Sequence, residues 1–144
     1  MTHARVVVGV DGSPNSDAAL RFAITEARLR GAVLEVVMAW TLPFTGSGSW
    51  DLTQLPDPEP IAASHERLLE TMIADVDTEG LEVRPIVVQD DAASHLSELA
   101  EGADLLVVGR RGHGGFVGLL LGSVSQKLAA HAPCPVAFVP ADED

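Results

Sequence analysis

Two rhythms of hydrophobic positions alternate along the chain. Continuous apolar, largely β-branched runs occur at 5–10 (RVVVGV), 33–40 (VLEVVMAW), 82–88 (EVRPIVV), 104–109 (DLLVVG) and 135–139 (PVAFV). Runs of this length fit strands buried on both faces of a sheet. Pro85 places the third of them at a sheet edge, because proline cannot donate to a ladder. Between the runs the period changes. Leu20, Ala23, Ile24 and Ala27 share one helical face, opened by Ser13 or Ser16 as cap with Pro14 in the first turn, and stopped by Gly31. Ile61, His65, Leu68, Leu69, Met72, Ile73 and Val76 repeat at helical spacing as far as Gly80. Asp91 can cap a helix carrying Leu96, Leu99 and Ala100 that ends at Gly102, and a last helix starts near Ser123 with Val124, Leu128 and Ala129. Residues 41–60, rich in Pro, Gly, Ser and Thr, form the one long irregular connection, a length that favours a functional loop.

The order βαβαβαβαβ predicts an α/β fold: an open five-stranded parallel sheet with helices on both faces. No internal repeat or composition boundary divides the chain, so residues 1–144 read as a single domain. In such sheets ligands bind outside the carboxyl ends of the strands, where the strand order reverses.

Charge narrows the partners. The net charge is −12, and residues 51–104 carry fourteen acids against two bases. This disfavours nucleic acid and anionic membranes, and the acidic middle reads as a solvated face. The last forty residues are balanced, which leaves room for a local anion site. No stretch resembles a signal peptide, and the uncharged segment 112–126 is too short to span a bilayer. A single cysteine, Cys134, permits no intramolecular disulfide and reads as a small packed residue, so a reducing, cytoplasmic setting fits.

The densest chemistry lies in VVGRRGHGGFVGLLLGSVSQ. Gly109, Gly112, Gly114, Gly115, Gly118 and Gly122 fall between a strand and a helix. Glycines there allow close backbone approach, and free N–H groups can form an anion nest that the helix N-terminus extends. Arg110 and Arg111 add charge, Ser123 and Ser125 add hydroxyls, and His113 can donate to a phosphate. The plain alternative is a loop before a capped helix. Neither G-x-x-x-x-G-K-[ST] nor G-x-G-x-x-G occurs, so a P-loop NTPase and the dinucleotide fingerprint are excluded. A G-x-S-x-G elbow and a His-x-Gly-His signature are also absent. At the end of the first strand Asp11, Gly12 and Ser13 form a second candidate site. Asp11 could meet a base or ribose, help hold a cation, or simply make a turn. Trp40, at the end of the second strand, could line a base pocket but reads first as core, and His3, His65, His95 and His131 show no metal spacing.

The segments VVVGVDGSPNSDAAL and ADLLVVGRRGHGGFVGLLLGSVSQKLAAHAPCPVAFVP resemble the universal stress proteins, with a resemblance that extends over essentially the whole chain. The family's ATP pattern G-x2-G-x9-G-[ST] is met by Gly109, Gly112, Gly122 and Ser123. The resemblance implies a Rossmann-like sheet of order 3-2-1-4-5 and a homodimer paired through the last strand, here Pro135 to Pro140. It implies that Gly9, Val10 and Asp11 meet adenine and ribose, with Ala39 as an adenine wall. It further implies that Gly109, Arg110, Gly112 and His113 approach ribose and phosphates, and that Gly122, Ser123, Val124 and Ser125 cradle the phosphates. The chain departs from the family at Asp90 and Ala92, which stand where many members have glycine and proline. An Asp90 facing adenine would add negative charge and lower affinity.

The function this implies is an ATP-binding regulatory protein of the stress response, with Mg²⁺ as an optional companion of the nucleotide. No residue is marked as one that must activate water, so hydrolysis is expected to be slow at most, and no catalytic or metal-ligating residue is assigned. Two other readings stay open. One is a weak phosphohydrolase or phosphotransferase built on Asp11. The other is a dimeric interaction module that binds no nucleotide.

Overall fold

The computed structural model describes residues 4–40, 58–89, 91–110 and 123–141. Five strands, β1 (Arg5–Val10), β2 (Val33–Trp40), β3 (Val83–Gln89), β4 (Leu105–Gly109) and β5 (Val136–Val139), alternate with four helices. These are α1 (Pro14–Arg30), α2 (Pro58–Ala74), α3 (Ala92–Leu99) and α4 (Ser123–His131). All pairings are parallel, in the order β3-β2-β1-β4-β5, as expected. Pro85 lies in edge strand β3, opposite Val36.

The side-chain alternation of β1 builds two cores. Val6, Val8 and Val10 point to one face, with Leu20, Ala23 and Ile24 of α1 and Leu69 and Met72 of α2. Val7 points to the other, with Leu96 of α3, Leu106 of β4 and Leu128 of α4. A strand without a polar face must be covered twice, and the helices divide accordingly. Trp40 is buried and stacks on His65 of α2, with ring centroids 5.3 Å apart and planes 10° apart. The His65 Nδ1 lies 2.9 Å from the Ile61 carbonyl. That carbonyl can only accept, so Nδ1 carries a proton.

Local chemistry sets the helix ends. Ser13 is the cap of α1: its Oγ accepts from the Ser16 N–H at 3.3 Å, and Pro14 follows at the first position. Gly31 ends the helix in the left-handed conformation, φ 61°. Asp91 caps α3 through the Ser94 N–H at 3.1 Å. The second helix departs from the expected span. It begins at Pro58, ahead of Ile61, and stops at Ala74 rather than running on to Gly80. Beyond it, Asp77 accepts from the Glu79 N–H at 3.0 Å, and Arg28 of α1 holds the carbonyls of Asp77 and Glu79. Side-chain capture of backbone groups competes with helix continuation. The acidic middle is a solvated face where it is described: Glu66, Glu70, Asp75, Asp77, Glu79 and Glu82 are all exposed.

The amino ends of the strands are tied by one arginine. Arg5 Nη1 donates to Glu35 at 2.5 Å and to the Leu99 carbonyl at 2.6 Å, and Nη2 donates to the Glu101 carbonyl at 2.7 Å. The guanidinium therefore balances a buried carboxylate of β2 and satisfies carbonyls that the end of α3 leaves open. Replacing Arg5 with leucine strands Glu35 without its counter-ion. Urea denaturation is expected to show a loss of about 3 kcal/mol, with most of it recovered when Glu35→Leu is added.

Candidate functional site

Strand order reverses between β1 and β4, the two neighbours whose following helices lie on opposite faces. Val8 pairs with Val107, so Val10 and Gly109 each lie two residues further along, at the carboxyl edge of the sheet. The crevice there is bounded by the β1–α1 turn on one side and by the β4 exit with the start of α4 on the other.

On the β1 side, Asp11 is exposed and its Oδ1 accepts from the Ser13 N–H at 2.8 Å. Gly12 has φ +85°, a region that favours glycine, and a Cβ on it would sit 3.1 Å from Leu68 of α2. Its N–H donates to Ser16 Oγ at 3.1 Å, while Ser16 Oγ donates to the Ser13 carbonyl at 2.9 Å. These bonds tie the turn to the start of α1.

On the β4 side, Gly109 is held closely. A Cβ there would lie 2.9 Å from Asn15 Cβ and 3.1 Å from the Asn15 backbone carbon and oxygen. Its carbonyl accepts from Ser125 Oγ at 2.7 Å. The next residue, Arg110, donates its backbone N–H to the Val139 carbonyl of β5 at 2.8 Å. The Arg110 Nε is buried and has no hydrogen-bond partner among the described residues. A buried donor on a permanent cation carries a desolvation penalty until an acceptor reaches it. The first three residues of α4, 123–125, carry backbone N–H groups that helix geometry leaves without intrahelical acceptors. Val124 packs against the core of Leu96, Leu106 and Leu128, and Ser125 is buried.

The sequence-expected residues fall into groups. Gly109, Arg110, Val124 and Ser125 come together where β4 meets α4, with Ser123 as the first residue of that helix. Asp11 lies at the carboxyl end of β1 and Ala39 near that of β2, where it pairs with Val88 of β3. Val10 is part of the hydrophobic core. The α-carbon of Gly9 faces α3, where a Cβ would meet Leu96 Cδ1 at 2.7 Å, so a side chain here would have to displace Leu96. Gly112, His113 and Gly122 lie outside the described residues, as do Asp90 and Arg111. Sequence reasoning missed Asn15, Ser16 and Leu68. The second serine of DGSPNS was open to a capping reading, but nothing in sequence tells that Asn15 lies against Gly109.

The described residues include no group of three or more His, Cys, Asp or Glu that could hold a metal ion, and no helix long and apolar enough to cross a membrane. Cys134 is half-buried at the opposite end of β5. Burial pushes its thiol up from the ordinary range, against a smaller downward pull from Arg5. A thiol so placed is a poor nucleophile.

The sequence matches the universal stress protein family over residues 3–140, and the chain belongs to that family. Universal stress protein Rv1996 of Mycobacterium tuberculosis is 37% identical over 148 residues, covering 97% of this chain and 45% of its own length. The chain spans about half the length of the curated relatives it matches. Among solved structures, a universal stress protein in complex with cAMP is 28% identical with a TM-score of 0.66, covering 99% of this chain and all of the other. A universal stress protein from Archaeoglobus fulgidus in complex with dAMP is 24% identical with a TM-score of 0.68 over 96% of this chain, a similarity of fold.

Two measurements test these assignments. Gly9→Ala should destabilise the fold by about 1–3 kcal/mol through overpacking, and Leu96→Ala in the same chain should cost less than it does alone. Iodoacetamide at pH 8 should label Cys134 in the folded protein at least roughly tenfold more slowly than in the urea-unfolded chain.

Proposed function

We propose that this chain binds an adenine nucleotide in the crevice between the β1–α1 turn and the β4–α4 junction. The observation that carries the reading is the buried Arg110 Nε immediately after the carboxyl end of β4, which has no partner among the described residues. An anionic oxygen is the natural acceptor for it, and a charge-assisted bond there offsets the burial cost. The start of α4 adds N–H donors and the positive end of a helix dipole. The neighbour solved with cAMP, similar across the entire chain, supports an adenine nucleotide as the class of ligand.

In this reading each residue has a limited task. Arg110 pairs with phosphate, with Gly112, His113 and Gly122 beside it. The backbone of Ser123, Val124 and Ser125 completes the cradle. Asp11 and Ala39 meet ribose and base, and Gly9 and Val10 hold the strand that presents Asp11. ATP is the proposed occupant, with Mg²⁺ accompanying its phosphates. Such an ion would be held by phosphate oxygens and water, with Asp11 as the carboxylate in reach of the crevice mouth. The residues bind and orient the nucleotide, and none is assigned the activation of water.

The chain acts as one domain, in the cytoplasm, as a regulator whose state follows nucleotide occupancy under stress. It pairs with a second copy through residues 135–140. The half-buried Val136, Ala137, Phe138 and Val139 support that pairing, since an apolar edge strand left open invites another.

Calorimetric titration of nucleotide-stripped protein with ATP, AMP and cAMP, with and without Mg²⁺, tests the reading. Micromolar binding is expected, abolished by Gly122→Val and weakened about tenfold by Arg110→Gln through the lost charged bond. No binding by the unmutated protein would overturn the nucleotide reading and favour the dimeric module.

A further inference from the structure

The β4 exit is held from two sides before any ligand is considered. Asn15, in the first turn of α1, packs its Cβ and carbonyl group against the α-carbon of Gly109. Ser125, in the first turn of α4, spends its single hydroxyl proton on the Gly109 carbonyl at 2.7 Å. Ser125 is 3% exposed, so little solvent competes for that bond. Between the two contacts, the Arg110 N–H is fixed on Val139 of β5. Four elements thus converge on one peptide.

We propose that Asn15 and Ser125 are positioning residues that clamp Gly109, so that the glycine-rich segment leaves β4 at one fixed point and Arg110 is set in place before ligand arrives. The proposal rests on the nucleotide reading only for its consequence, affinity; the clamp itself belongs to the free protein. It assigns Ser125 a part different from direct phosphate ligation. The Ser125 hydroxyl acts through the Gly109 carbonyl, and preorganisation reduces what the ligand must spend on ordering the site. Asn15 forms the other jaw by contact, which makes any side chain at position 109 a collision with the α1 backbone.

The test compares wild type, Ser125→Ala and Ser125→Thr. Amide exchange of Arg110 is followed by NMR in nucleotide-free protein, and adenosine and AMP are then titrated. Melting curves establish that each variant is folded. The clamp predicts that Ser125→Ala speeds Arg110 exchange by about fivefold, a neutral hydrogen bond's worth, and that threonine restores it. It also predicts that adenosine and AMP lose affinity by the same factor, because the site rather than a phosphate contact is disturbed. Unchanged Arg110 exchange overturns the clamp. Loss confined to AMP, with adenosine binding intact, also overturns it and makes Ser125 a phosphate ligand. If Ser125→Ala does not fold, Ser125→Cys, with its weaker donor, takes its place in both measurements. If wild type binds neither ligand, the nucleotide reading fails, and the exchange data alone decide the clamp.

Discussion

The constraint on which the structure depends is the burial of β1 on both faces. Val6, Val7 and Val8 are fully buried, and Val10 nearly so. Neither face can be left to water, so α1 and α2 cover one and α3 and α4 the other. A chain that covers its first strand in this way must cross the sheet once, between β3 and β4. That crossing brings β1 and β4 side by side with their loops turning apart. The crevice is the geometric remainder of a packing requirement.

The two ends of the sheet then serve different demands. At the amino ends, Arg5 gathers a buried carboxylate and two open carbonyls into one network. At the carboxyl ends, the buried Arg110 Nε finds no acceptor among the described residues. The same residue type makes three side-chain hydrogen bonds at one edge and has a buried Nε without a described partner at the other. Leaving a buried donor open costs stability, and proteins tolerate that cost where a ligand completes the bond.

The sequence made the fold legible because its signals are local and agree with one another. Five apolar runs, Ser13 and Asp91 as caps, and Gly31 as a stop all read directly. Pro85 even marked the edge. The end of α2 did not read: the segment just beyond it is held by Arg28, forty-nine residues away from Asp77 in sequence. The site was half legible. Glycine spacing marked Gly109 and Arg110, but not the part of Ser125, whose hydroxyl serves a carbonyl sixteen residues back. Gly9 also lies tight against Leu96, a contact that no strand pattern discloses. Spacing records which residues can reach a site; packing decides what each does on arrival.

The Trp40–His65 stack has a consequence for how β2 meets its covering helix. It fastens the last residue of β2 to the middle of α2, so the two elements are joined by a direct contact as well as by the chain between them. The carboxyl edge of β2, where Ala39 lies, is therefore held to α2 by an aromatic contact in addition to its backbone pairing with β3.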